Sequence, residues 1–97
     1  MNEENELDVL RERIAEVTLE ILRLCGERFS LARKIGEIKI RMKMPIENTE
    51  VEDKLKRKVL EECRVYGIDS HFGLKVLNLL LEESRRIQRS LFEEAQT

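Results

Sequence analysis

The sequence predicts an all-α protein of three helices, one very long and two shorter. Two observations set the class. Charged residues make up 39% of the 97 positions and aromatics only 4%, with one Pro and four Gly, whereas sheets and tight turns draw on β-branched, aromatic, Gly and Pro residues. Apolar side chains also recur at spacings of three and four, from Leu7 through Leu10, Ile14, Val17, Ile21, Leu24, Leu31, Ile35 and Ile38 to Met42. That is the seam of a long helix. Its single charged slot is Arg28, a guanidinium that cannot shed its charge and must meet an anion or stay solvated.

The first helix is expected over about 6–42, with no internal Pro; Gly26 and Gly36 fall off the seam and weaken it modestly. Residues 43–48 form a loop around Pro45. Thr49-Glu50-Val51-Glu52 reads as a capping box opening a second helix that runs to about 66, and Gly67 is a left-handed stop. Asp69 or Ser70 caps a third helix to about 94, with Leu74, Leu77, Leu80, Leu81, Ile87 and Leu91 along it. No internal repeat interrupts the chain, and residues 1–97 are expected to form one domain.

A helix of this length measures about 55 Å, while a compact chain of this size has a radius of gyration of about 13 Å. The two shorter helices cannot cover the whole apolar stripe, so a partner must. Residues 1–20 carry seven acidic and two basic side chains, net −5; residues 28–43 carry six basic and one acidic, net +5. A helix so charged complements its own copy laid antiparallel, which predicts an antiparallel homodimer.

Other classes are disfavoured. A net charge of −2 leaves no basic footprint for nucleic acid. Cys25 and Cys63 belong to no metal-ligand cluster and read as reduced core thiols. No apolar run approaches the length of a membrane span, and the acidic start is unlike a signal peptide, so a cytoplasmic location is expected. There is no phosphate-binding Gly-rich loop and no nucleophile–His pair; His71 reads as a surface residue. Neither a cofactor nor a metal is expected, and any enzyme built here works by positioning and fixed charge.

Several polar residues point where apolar ones belong. Arg11 and Lys39 hold equivalent positions beside the seam, about 42 Å apart on one helix. In an antiparallel pair centred near residue 24, Arg11 of one chain lands near position 37 of the other, between that chain's Arg28 and Lys39. Glu52 lies on the face continued by Leu55, Val59 and Cys63, and Ser84 and Gln88 interrupt the stripe from Leu77 to Leu91. Such a set resembles a small-molecule pocket between helices. Singly, each residue has a structural alternative: an ion pair for Arg28, a solvated edge for Arg11 and Lys39, capping for Glu52, a back-bond for Ser84.

Across essentially its whole length the chain resembles the all-helical class of chorismate mutases, in their small intertwined dimeric form. The resemblance rests on Leu10-Arg11-Glu12-Arg13-Ile14, Glu27-Arg28 with Leu31-Ala32, Ile35-Gly36-Glu37-Ile38-Lys39, Pro45-Ile46, Glu52, and Glu82-Glu83-Ser84 with Gln88. It implies the rearrangement of chorismate to prephenate, on the route to phenylalanine and tyrosine, without cofactor or covalent intermediate. It further implies that Arg28, together with Arg11 from the other subunit, grips the two carboxylates. Lys39 and Gln88 donate to the ether oxygen, Glu52 takes the ring hydroxyl, Ser84 supports a carboxylate, and Asn48 contacts ligand through its backbone.

Two positions depart from the family pattern. Val51 stands where the family often has Arg, and Asn48 where it often has Asp. Val51 removes a cation from the expected set, for which Lys54 or Lys43 are the candidate replacements. Two alternatives remain at this stage: an isochorismate pyruvate lyase of the same fold, and a non-catalytic helical dimer that binds an anionic metabolite or a partner helix.

Overall fold

The computed structural model describes residues 2–96. It contains α1 (Glu3–Met42), α2 (Thr49–Tyr66) and α3 (Ser70–Gln96), and no strand among the described residues. The 40 residues of α1 span about 60 Å at 1.5 Å per residue, and they set the longest dimension of the chain, 61 Å. The radius of gyration is 18.0 Å, well beyond the roughly 13 Å of a compact chain this size.

Polar side chains close the helix ends. α1 starts earlier than its apolar pattern suggests, because Asn2 accepts the Asn5 N–H at 2.9 Å and Glu3, Glu4 and Glu6 suit the positive end of the dipole. It ends at Lys43, which takes a left-handed conformation at φ 56° while the Met44 N–H bonds back to the Lys39 carbonyl at 2.8 Å. The capping box expected at Thr49 is not what opens α2. Asn48 is the cap: its side chain accepts the Val51 N–H at 3.2 Å, leaving Thr49 inside the helix and Glu52 released for another partner. Gly67, at φ 65°, stops α2 as predicted, and Asp69 caps α3 by accepting the Phe72 N–H at 3.1 Å.

α3 is the central element, antiparallel to α2 and parallel to the C-terminal half of α1. Ala32 and Gly36 of α1 are buried against Gln88 and Leu91 of α3; Leu77 and Cys63 bury the α2 side. Gly36 therefore does more than weaken the helix modestly. A Cβ added there would stand 2.9 Å from Leu91 Cδ1 and 3.0 Å from Gln88 Cγ, so its absence lets the two helices approach. Gly73 plays the same part against Cys63 Sγ, whereas nothing lies near Gly26.

The N-terminal half of α1 has no such cover. Every residue over 2–24 is exposed, with Leu10 at 61% and Ile14 at 68%. No helix among the described residues is long and apolar enough to cross a membrane.

Candidate active site

Where α3 lies between α1 and the start of α2, the helices leave an open cavity of about 440 Å³. Its floor and walls are apolar, from Leu31, Ala32, Ile35, Ile46, Val51, Leu55 and Leu81. Its polar groups are Arg28 and Lys39 of α1, Asn48 and Glu52 around the start of α2, and Ser84, Arg85 and Gln88 of α3. Six of the seven residues singled out from sequence thus meet in one place, brought there by the parallel packing of α1 and the antiparallel packing of α2 on α3.

Each polar side chain is held. Arg28 Nη1 donates to the Leu80 carbonyl at 3.2 Å and to Ser84 Oγ, while the Ser84 hydroxyl donates to that same carbonyl at 2.9 Å. The back-bond considered for Ser84 is present, and the hydroxyl orients Arg28 besides. Lys39 Nζ donates to the Ile46 carbonyl, which ties the loop to α1, and it stands 3.5 Å from Gln88 Oε1. Gln88 is buried, and its Nε2 donates to the Ala32 carbonyl at 3.0 Å. One N–H of that amide remains for a guest.

Arg11 is the exception. Its side chain is 69% exposed and lies 4.0 Å from Asp8 Oδ1, on the uncovered half of α1. One chain alone does not bring it to the cavity. Neither candidate replacement for the missing cation lines the cavity either: Lys43 is the exposed C-cap of α1, and Lys54 is exposed on α2.

Sequence reasoning missed Arg85. Its Nη2 donates to Glu52 Oε1 and its Nε lies 3.6 Å from Glu47 Oε1, so Glu52 faces a cation and not its own helix cap. A signal existed. The spacing Leu77, Leu81, Arg85, Gln88 places Arg85 on the inner face of α3 as firmly as Ser84.

The lining residues carry three cations, Arg28, Lys39 and Arg85, against one carboxylate, Glu52, a net of +2. No group of three or more metal-ligand side chains occurs among the described residues. Apolar walls with fixed donors and a net positive charge can accommodate a small anion with an apolar body.

The sequence profile of chorismate mutase type II matches residues 10–89, a span that takes in Arg11, both walls of the cavity and Gln88. The chain belongs to the chorismate mutase type II family. The chorismate mutase of Methanocaldococcus jannaschii is 32% identical over 87 residues, covering 90% of this chain and 88% of the relative. The bifunctional chorismate mutase/prephenate dehydratase of Escherichia coli K12 is 28% identical over 94 residues, and the match takes in 97% of this chain but 24% of that protein. The bifunctional protein of the same description from Aquifex aeolicus is 44% identical over 63 residues, 64% of this chain and 17% of its own length. This chain thus spans about a quarter or less of these bifunctional proteins.

Proposed function

We propose that the chain isomerises chorismate to prephenate, in phenylalanine and tyrosine synthesis, as a cytoplasmic homodimer whose two sites are shared between subunits. The observation that carries the reading is the convergence of Arg28, Lys39, Glu52, Ser84 and Gln88 in one half-enclosed cavity, in a chain of the type II family.

The reaction is an intramolecular Claisen-type rearrangement: an ether C–O bond breaks as a C–C bond forms, and no proton need move. Catalysis then has two parts. Arg28, braced by Ser84, holds one carboxylate and keeps the flexible enolpyruvyl arm over the ring. Lys39 and the unspent N–H of Gln88 face the ether oxygen, where negative charge grows as the bond lengthens. Glu52 accepts from the ring hydroxyl, and the Asn48 backbone contacts ligand at the cavity mouth.

The uncovered half of α1 supports the dimer. Its stripe of exposed Leu, Ile and Val is far more apolar surface than a solitary helix leaves in water. Antiparallel pairing about residue 24 buries that stripe and sets acidic against basic halves. It also delivers the partner's Arg11 to the rim between Arg28 and Lys39, where it holds the second carboxylate.

The test is incubation of purified protein with chorismate while following loss of its diene absorbance and appearance of prephenate. Saturable binding without absorbance loss supports the non-catalytic module instead. Pyruvate released from isochorismate, with chorismate untouched, supports the lyase.

A further inference from the structure

We propose that Arg85 anchors a substrate carboxylate directly, supplying from α3 the positive charge that Val51 does not supply from α2. The inference rests on the assignment of the cavity to chorismate and extends it to a residue outside the family pattern described above.

The placement of Arg85 is the first argument. Its side chain is 28% exposed, against 65% for its neighbour Arg86, so the guanidinium is drawn in toward the cavity and not left on the surface. It reaches across from α3 to Glu52 and Glu47, the carboxylates on either side of the Asn48–Val51 turn. The charged head therefore sits at the wall from which a side chain at position 51 enters, and Val51 offers only methyl groups there.

Its donors are the second. Nη2 is taken by Glu52, but Nε is shielded from solvent and makes no hydrogen bond among the described residues. The Glu47 carboxylate, 3.6 Å away, is close enough for ion pairing and too far to accept that proton. A shielded donor without an acceptor is costly, and the Nη1 end of the fork, which donates to no described residue, is the part left to meet a carboxylate.

Charge is the third. Without Arg85 the lining would set Arg28 and Lys39 against Glu52, a net of +1, and Glu52 would repel a dianion at close range. With Arg85 the lining that one chain contributes carries a net of +2, before the partner's Arg11 is added. Arg85 thus offsets Glu52 and keeps part of its fork for ligand.

The experiment measures KM and kcat for chorismate in the parent, Arg85→Val, Arg85→Gln, Val51→Arg/Arg85→Val, and Glu52→Gln with and without Arg85→Val. Loss of a charged hydrogen bond to substrate raises KM about 10- to 100-fold in Arg85→Val. That loss persists in the Glu52→Gln background, and Val51→Arg restores most of it. Arg85→Gln keeps the size of the side chain and serves if Arg85→Val unfolds.

A KM within twofold of the parent overturns the proposal. So does an effect that vanishes once Glu52 is neutral, which would make Arg85 a positioning residue for Glu52. If the parent turns over and Arg28→Ala does not, a silent Arg85 sinks this inference alone; a parent without turnover sinks the functional assignment with it.

Discussion

The two halves of α1 share one apolar spacing and meet different fates. Over 28–42 the helix lies on α3, buries Ala32 and Gly36, and carries Arg28 and Lys39 into the cavity. Over 2–24 the same three-and-four spacing continues with every residue exposed. An apolar stripe thus marks a face that favours cover without saying what, if anything, supplies it. The C-terminal half is covered by its own chain on a face of small residues, where Ala32 and Gly36 admit α3 closely. The large residues Leu31, Ile35 and Ile38, along with the stripe before them, stay exposed on this chain.

The largest effect is expected from charging the bare half. Ile14→Asp puts a carboxylate in the proposed subunit seam, and sedimentation should show monomers at concentrations where the parent is dimeric, with activity lost at least about 10³-fold because each site loses Arg11. The same change at a residue exposed in both states, such as Arg13→Asp, should leave assembly intact. A monomeric parent would break the comparison outright.

Arg28→Ala and Arg11→Ala come next. Removing one partner of a charged hydrogen-bonded contact costs about 2–5 kcal/mol, so each should lower kcat/KM by about 10²- to 10³-fold. Hybrids of the two variants should recover close to half the parental activity per dimer, since one site regains both cations and the other loses both. Inactive hybrids would show that the halves of α1 do not serve a common site.

Gln88→Glu should make turnover strongly dependent on pH. A protonated carboxyl still donates to the ether oxygen and a carboxylate does not, so activity should fall, by about 10²-fold, as pH rises through the ionisation of the introduced carboxyl. The parent, with its neutral amide, should show no such fall. Steady-state rates across pH settle the point.

The glycines give a smaller contrast on one helix. Gly36→Ala should lower stability by about 1–3 kcal/mol, since the added methyl presses on Leu91 and Gln88. Gly26→Ala, with nothing near it, should raise stability by up to about 1 kcal/mol through helix propensity. Thermal unfolding at matched protein concentration measures both.

The smallest effect is electrostatic. A hydrogen bond from Arg23 holds the Glu20 carboxyl below its ordinary value, and Arg86 does the same for Glu83. The folded value is the depressed one, so their stabilisation is present above the usual carboxylate range and lost as pH falls through the folded value. Both pairs are exposed, and salt should screen them. The Tm difference between Glu20→Gln and the parent should be slight at pH 7 and vanish in strong acid.

Much of this arrangement was legible in the sequence because helices repeat their faces at fixed intervals. Arg28, Ser84 and Gln88 stood out as polar breaks in apolar stripes. What escaped has physical causes. The first turn of α1 carries no apolar residue, so periodicity could not see it, although Asn2 and the acidic run were visible. Glu52 fitted the capping-box pattern, yet Asn48, one residue before Thr49, took the cap and left that carboxylate to Arg85. Gly36 looked peripheral because it lies off the seam; a helix covered on two faces shows its larger-residue stripe and hides the other. Arg85 was passed over because an arginine beside another in a charged helix reads as solvated.

Gly36 touches the same side chain that faces Lys39. Any drift in sequence that props those helices apart will be felt as a misplaced amide as well as a looser fold, so selection cannot adjust one without disturbing the other. α2, which among the described residues packs on α3 and not on α1, is the wall where new specificities have room to evolve.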